Sequence, residues 1–397
     1  MPSYVNIAKE NIYVKKESAA GTVPSITADE AIDVISADLS ASQTYIQRSD
    51  KTGNRTFRGI VDGGKRGASF SIDSHLLPSG TAGTAPDADD LFEAAFGSVR
   101  SWAGANTHGA TPCTTTSITF AAAQNLIVGD AISDGNEIRF ITAITGGTPG
   151  AATAVTIDPP LTVAPGLGAA IEGTVSYSLA ETLPSVSIFR YSEPSTALQQ
   201  ILNMGLVEEV MFELNGDVHS VKFTGPGQQI IDSASFENGQ GGLSSFPAEP
   251  ASQTRSAYAV AGHFGQLYLG SSISKFLTIV SASLSLKNNI GLRSDEFGSQ
   301  VALGYTEGIR DVSFAWEVYE LDDAATRALW TAARNRTAIK AFGQMGSTTG
   351  KLAGFYIPTL VPQVPSLADS ENGRKWRFSS ARASNTTVGG ELYFAFA

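Results

Sequence analysis

Ile35-Ser-Ala-Asp-Leu-Ser-Ala41 returns 245 residues later as Val280-Ser-Ala-Ser-Leu-Ser-Leu286. The match runs on without a gap to Arg48-Ser-Asp50 against Arg293-Ser-Asp295. After one deletion, Gly64-Lys-Arg-Gly-Ala-Ser-Phe-Ser-Ile72 falls on Gly308-Ile-Arg-Asp-Val-Ser-Phe-Ala-Trp316, and Leu91-Phe-Glu-Ala-Ala95 then falls on Leu329-Trp-Thr-Ala-Ala333. Matching blocks in one order, with small gaps, indicate a duplication. Ile35, Ala37, Leu39 and Ala41 alternate with polar neighbours, as do Val280, Ala282, Leu284 and Leu286. That period of two predicts a half-buried strand in each copy, with a shared register and so a shared core face. Ala68, Phe70 and Ile72 against Val312, Phe314 and Trp316 predict a second strand pair. The third block predicts a helix. Asp87 is its expected N-cap and Gly97 its C-terminal stop; in the second copy Asp322 or Asp323 caps a stripe of Ala325, Leu329 and Ala332.

Each copy therefore reads as strand, long polar loop, strand, helix. Further strands are expected at Val186–Phe189, Val207–Leu214 and His219–Phe223, and then at Leu352–Ile357, Trp376–Ala383 and Glu391–Phe396. Between them lies a Gly/Ala/Thr-rich stretch with short strands at Ser117–Phe120, Ile138–Ala143 and Ala154–Ile157, expected to be a small β-barrel insertion. The organisation is an N-terminal arm (1–30), a first copy (31–103 and 173–235) holding an insertion (104–172), a linker (236–254) and a second copy (255–397). The fold class expected is mainly β, two tandem β-sandwich or barrel domains, each with a flanking helix.

The chain has 397 residues and a net charge of −11, from 27 Lys+Arg against 38 Asp+Glu. This balance argues against holding nucleic acid by neutralising its phosphates. The single Cys113 excludes an internal disulfide framework and a cysteine-based zinc cluster. The first twenty residues mix charge through their apolar positions and no run approaches a membrane span, so a soluble cytoplasmic product is expected. Gly59-Ile-Val-Asp-Gly-Gly64-Lys65-Arg66 has phosphate-loop spacing, but Arg66 stands where Ser or Thr must bind magnesium, and a strand follows instead of a helix. The histidines 75, 108, 219 and 263 are scattered without ligand spacing. Asp89-Asp90 and Asp322-Asp323 suit first helical turns, and Glu208-Glu209 a strand edge. Trp316, Trp330 and Trp376 read as core, and Trp102 as a hinge to the insertion. No catalytic residue, cofactor site or metal site is assigned; the chain is not read as an enzyme.

Three stretches resemble the major tail proteins, or tail tube proteins, of long-tailed bacteriophages. They are Lys16-Glu-Ser-Ala-Ala-Gly-Thr-Val-Pro24, which is similar to the family's opening E-x-x-x-G-T-x-P; Ser79-Gly-Thr-Ala-Gly-Thr-Ala-Pro-Asp87 before an Ala-rich helix ending Phe96-Gly97; and Ser281-Ala-Ser-Leu-Ser-Leu-Lys-Asn-Asn289. The resemblance implies a structural virion protein that stacks in rings to form the tail tube, through which DNA is ejected without specific binding. Single-domain members form hexamers, so the duplication implies trimers with six quasi-equivalent positions. It also implies the tail terminator, tail tip and tape measure proteins as partners, no membrane, and a place in the virion tail after assembly in the host cytoplasm. The family's long loop reaches toward the next ring. Here that loop is Arg48 to Arg66 with its counterpart Arg293 to Arg310, making Arg48, Asp50, Arg58, Lys65, Arg66, Arg293, Asp295, Glu296 and Arg310 the candidate inter-subunit residues. The N-terminal arm, 1–27, is a second candidate bridge. The competing readings are a carbohydrate-binding or adhesion module, which exposed aromatics on the insertion would favour although its only two, Phe120 and Phe140, alternate as buried strand residues, and a polysaccharide-degrading enzyme, which would need a convergent acid/base pair.

Overall fold

The computed structural model describes residues 4–397 except 49, 57–58, 62–63, 256–257, 371–372 and 386–388. The chain is mainly β. In order it forms β1 (Asn11–Lys16), β2 (Ala31–Ile32), β3 (Ser36–Gln43), β4 (Ile46–Gln47), β5 (Ile60–Val61), β6 (Arg66–His75) and helix α1 (Asp89–Phe96). Next come β7 (Gly97–Asn106), β8 (Ser117–Gln124), β9 (Ala131–Asp134), β10 (Glu137–Thr148), β11 (Ala151–Asp158) and β12 (Ala170–Leu179). They are followed by β13 (Val186–Tyr191), β14 (Gln200–Gly205), β15 (Glu209–Leu214), β16 (Ser220–Gly227) and β17 (Gln229–Asp232). The remainder is β18 (Gln266–Gly270), β19 (Ser274–Phe276), β20 (Ile279–Lys287), β21 (Gly291–Arg293), β22 (Gly304–Thr306), β23 (Asp311–Tyr319), helix α2 (Ala324–Asn335), β24 (Ile339–Met345), β25 (Ala353–Val361), β26 (Ser366–Ser370), β27 (Gly373–Ala383) and β28 (Tyr393–Phe396). No helix of the described residues is long and apolar enough to cross a membrane.

The repeated blocks pair with themselves in the same register. In β3–β6, Ala37 faces Ile72, Leu39 faces Phe70 and Ala41 faces Ala68. In β20–β23, Ala282 faces Trp316, Leu284 faces Phe314 and Leu286 faces Val312. The correspondence extends to most of the other pairings, although β25 also pairs with β27 and β28 with β12, without equivalents in the first half. β1 pairs with β2 and β13, as β18 pairs with β19 and β24. β14 pairs with β13 and β17, as β25 pairs with β24 and β28. β16 pairs with β15 and β6, as β27 pairs with β26 and β23. The hairpins β4–β5 and β21–β22 occupy the two long loops. β7 to β12 have no counterpart, because β24 follows α2 after only a short turn.

One antiparallel sheet carries both hairpins, in the order β3-β6-β16-β15-β20-β23-β27-β26. Its inner face buries Phe70, Ile72, Phe212, Phe223, Leu284, Phe314, Trp316 and Phe378. Phe92 of α1 reaches this core, its ring 5.2 Å from Phe223 and 6.1 Å from Phe212. Ile35 and Ala41, expected on the core side, are exposed. β3 is an edge strand, so only Leu39 at its centre is covered from both sides of the layer.

The helices differ from expectation at their starts. α1 begins at Asp89 and its N-cap position is Ala88, which makes no side-chain cap bond. Tertiary bonds use the acidic first turn instead: Tyr177 donates to Asp89 at 2.5 Å and the Lys16 amide to Asp90 at 3.1 Å. Gly97 ends the helix at φ 93°, a left-handed conformation that Gly adopts without steric cost. α2 is capped by Asp323, which accepts from the Thr326 amide at 2.6 Å. Leu329 is buried and Ala332 is half-buried against the core, as expected, while Thr326 and Ala333 and not Ala325 are the other buried positions. Spacing from Leu329 puts Thr326 and Ala333 on its face, while Ala325 lies on the exposed side.

β7 and β12 form a ribbon from Gly97↔Leu179 to Asn106↔Ala170. At its far end Ile118, Phe120, Leu126, Ile141, Val155 and Ile157 make a separate core. Trp102 belongs to that core rather than to a hinge: its ring lies 5.8 Å from Phe120 and its Nε1 donates to Gln124 at 3.2 Å. The opposite side of this module is fixed to the second half of the chain. Phe140 stacks 6.0 Å from Tyr356, and Asp158 accepts from Lys340 at 2.5 Å and from Tyr356 at 2.8 Å. Arg139 is only 1% exposed; it donates to the Ile138 and Pro160 carbonyls and to Gln344, and pairs with Glu137 at 3.0 Å. Removing one partner of such a buried set leaves charge and carbonyls unsatisfied. Arg139→Ala is therefore expected to lower unfolding free energy by about 3–5 kcal/mol, read from urea denaturation. A loss inside the noise of the fit would refute the locked interface.

The segment 236–254 runs back over the N-terminal sheet. Phe236, Leu243 and Phe246 pack on Tyr13, Phe189, Tyr191 and Ile201, and Glu249 accepts from Asn11 and Tyr13.

Candidate assembly surface

The alternation that buries one face of the eight-stranded sheet leaves the other polar. It presents Ser36, Asp38 and Ser40 on β3; Ser69, Ser71 and Asp73 on β6; Ser281, Ser283 and Ser285 on β20; and Ser313 and Glu317 on β23. The cations on this face are held by carboxylates. Lys222 pairs with Asp73 and Lys287 with Glu209, each at 3.4 Å. Lys375 and Arg377 hold Glu317 at 3.1 and 2.9 Å, and Arg382 pairs with Asp311. Asp38, Asp73, Glu209, Glu213, Asp311 and Glu317 outnumber Lys222, Lys287, Lys375, Arg377 and Arg382 by one. A face so arranged offers phosphates little net attraction.

The sheet has two free edges. β3 pairs only with β6 and β26 only with β27 among the described residues. Near the centre lies a junction between the two halves, β15 against β20, with Phe212 facing Leu284 and Glu209 facing Lys287. Matching Phe223 with Phe378 and Ile72 with Trp316 makes Leu367 the counterpart of Phe212. Phe212 is 1% exposed and Leu367 51%, because only Phe212 has a strand beyond it.

Both long loops leave the same end of this sheet, after Gln43 and Lys287, and they touch. Lys65 bonds Asp295 at 2.8 Å and the Arg66 amide donates to the Gln300 carbonyl at 2.7 Å. Arg48 pairs with Asp50 and Arg293 with Glu296, each within its own loop. Arg310 turns inward, donating to the Ala180 carbonyl at 2.5 Å and pairing with Glu181 at 3.4 Å. Arg58 lies outside the described residues. The charged candidates thus divide among local pairs, one loop-to-loop bridge and one internal anchor. Sequence reasoning passed over Phe297, whose side chain is fully exposed on the second loop. A large apolar residue between Glu296 and Gly298 in a polar loop was the available signal.

At the opposite end of the sheet a groove of about 460 Å³ opens between Leu214, His219, Phe264, Phe276, Leu277 and Ile279. His219 is 2% exposed and neither ring nitrogen has a hydrogen-bond partner among the described residues. Burial pushes its pKa down to about 4. The E-x-x-x-G stretch near the start is also explained by geometry. The buried Glu17 carboxylate accepts from the Gly21 amide at 2.7 Å, from Ser185 and Ser187 at 2.6 Å and from the Met204 amide at 2.8 Å. Gly21 sits at φ 82° to bring its amide round. The clamp ties the N-terminal arm to β13 and β14.

No family model matches the chain, and neither does any curated protein. Among the solved structures that match is the SPP1 tail tube, determined by solid-state NMR and cryo-electron microscopy. It is 16% identical, the match covers 34% of this chain and 78% of that one, and the TM-score is 0.27.

Two outcomes follow from the buried groups. Glu17→Ala leaves two hydroxyls and two amides without an acceptor, and is expected to cost about 3 kcal/mol or more in urea denaturation; Glu17→Gln, which keeps one acceptor oxygen, should recover part of that. For His219 the folded pKa lies below the ordinary value of 6.5, so the unfolded chain binds the extra proton first. Its contribution to stability is intact above pH 6.5 and falls away as pH drops toward 4, by up to about 3 kcal/mol. Burial raises the pKa values of Asp89, Asp90 and Asp130, which works in the opposite sense. The difference between wild type and His219→Leu, measured at each pH, isolates the histidine; a pH-independent difference would refute its buried neutral state.

Proposed function

We propose that this chain is a tail-tube-type structural subunit that closes into a trimeric, pseudo-hexameric ring by sheet extension, the rings stacking into a conduit for DNA. The carrying observation is the junction β15–β20, which joins two halves of matching topology while leaving β26 and β3 free. β26 stands to the second half as β15 stands to the first, and β3 corresponds to β20. Repeating the internal junction between chains pairs β26 of one copy with β3 of the next. Leu367 then faces Leu39, and Ser366 faces Ser40. The tandem copies are read from the same correspondence, with the inserted module starting at the base of the β7–β12 ribbon.

Strand number sets a lower bound on the ring size. Eight strands per chain at about 4.8 Å spacing give a trimer a sheet circumference of about 115 Å and a backbone diameter of about 37 Å. A dimer would reach only about 25 Å, which side chains on both walls narrow below the width of a duplex. The polar face would line the lumen. Its ion-paired cations, slight excess of carboxylate and dense serine hydroxyls suit DNA that must slide rather than adhere. Such a tube belongs to a virion tail, and its end rings would meet the terminator, tip and tape measure proteins. The adhesion alternative has no observation in its favour, since Phe120 and Phe140 are both buried.

The test is Leu367→Lys, a change at an exposed edge position that leaves the fold's core alone. Wild type should give trimers or uniform tubes by light scattering and negative-stain microscopy. The variant should stay monomeric, with a melting temperature within about 3 °C of wild type, as surface substitutions usually allow. Assembly of Leu367→Lys at wild-type concentration would refute edge pairing at β26.

A further inference from the structure

The two halves treat corresponding strands differently. β1–β2 corresponds to β18–β19, and beside β2 runs a piece of the linker. The Thr254 amide donates to the Ala28 carbonyl at 2.9 Å, and Arg255 pairs with Asp33 at 3.1 Å. β19 pairs with β18 alone among the described residues, so its other edge keeps backbone groups open. Lys275 and Phe276 of this strand line the groove of about 460 Å³, and Leu277 beyond them is 84% exposed. We propose, independently of the tube reading, that the groove docks an extended segment of a second protein, one that carries an aromatic or aliphatic side chain beside a carboxylate.

The walls set the apolar half of that requirement. Phe264, Phe276, Leu277 and Ile279 line the groove, and its volume falls within the roughly 300–1,000 Å³ of ligand sites. An apolar side chain seated there is the anchor of the contact. Charge selects its neighbour. Of the chain's 38 Asp and Glu residues none lines the groove. Lys275 does, exposed and with no ion-pair partner among the described residues. Beside β2 the linker brings a cation to Asp33; beside β19 the fixed charge is positive, so the incoming segment has to bring the carboxylate. The open edge of β19 favours an extended peptide over a compact ligand, because an added strand pairs with backbone N–H and C=O groups. The chain's own exposed Phe297 lies next to Glu296 and near Asp295, but these carboxylates are already paired with Arg293 and Lys65. A second protein is therefore the better source.

The experiment selects mRNA-displayed random peptides on the immobilised full chain, then measures the most enriched peptide by fluorescence anisotropy. Enriched sequences should combine an aromatic or aliphatic residue with a neighbouring Asp or Glu. Lys275→Glu and Leu277→Ser should each weaken binding about tenfold or more. Both positions are exposed, so melting temperatures should stay within about 3 °C of wild type. Selection repeated on Lys275→Glu should return basic peptides in place of acidic ones. No enrichment over the bare support, an enriched set without carboxylates, or an affinity unchanged by Lys275→Glu would each overturn the proposal. If decanoate binds in a Lys275-dependent way and no peptide is enriched, a free apolar carboxylate is the occupant and the proposal falls. If the selected peptide binds Leu367→Lys but not assembled wild-type tubes, another copy covers the groove; the proposal falls and the ring reading stands. Lys275-dependent peptide binding by a chain that never forms rings or tubes upholds the docking site and removes the ring reading.

Discussion

The junction of β15 with β20 is the constraint on which the rest of the architecture depends. It is where two halves with matching strand pairings become one sheet, and it fixes their relative register through Phe212 against Leu284. A slip of one residue there would turn Phe212 and Val210 outward and bring Met211 and Glu213 into the core. Around it, Phe92 of α1 stacks on Phe212 and on Phe394, linking the sheet to the C-terminal strand β28. Asn288, at the end of β20, donates to the Val207 and Ala95 carbonyls, so the same junction also ties down the end of α1. The internal joint, the helix and the last strand share one core.

What was legible in the sequence was what alternation and spacing encode locally. Leu39 facing Phe70 and Leu284 facing Phe314 hold the same place in the two hairpins, and period-two burial fixes which face each strand turns to the core. Non-local facts were hidden. The relation of β15 to β26 stands at a different offset from that of β3 to β20, since the intervening ribbon and its module shift the numbering, and no sequence block resembles the pair. Phe212 and Leu367 are recognisable as counterparts only through their partners in three dimensions. Asp87 offered a conventional cap, yet the N-cap position falls at Ala88, and the helix's acidic first turn is bonded from distant parts of the chain by Tyr177 and Lys16. The docking of Phe140 on Tyr356 lay outside any local pattern, as two alternating strands look alike whether they face solvent or a distant domain.

The charged loop residues illustrate the same limit. Arg48, Lys65, Arg293 and Arg310 look equivalent in a polar loop, but their partners separate them into local pairs, a bridge and an anchor. Exposed charges in local pairs contribute little to stability or binding. The apolar Phe297 is fully exposed on the same loop, which makes it a stronger candidate for contact with another chain than the paired charges.

The internal junction and the free edges are not equal in strength, and the inequality has a consequence. Glu209 and Lys287 add an ion pair to the β15–β20 contact. Their counterparts in the proposed contact between chains are Val364 and Ser42, which can form none. β26 is short, and Pro362 and Pro365 precede it, removing backbone donors that would extend pairing. An edge of this kind resists indiscriminate strand addition and leaves a brief apolar contact at Leu367 to select the right partner. A weaker joint between chains than within them lets an incorrectly closed ring come apart while each subunit stays folded. In the proposed trimer, three such joints formed together would hold cooperatively what one alone does not.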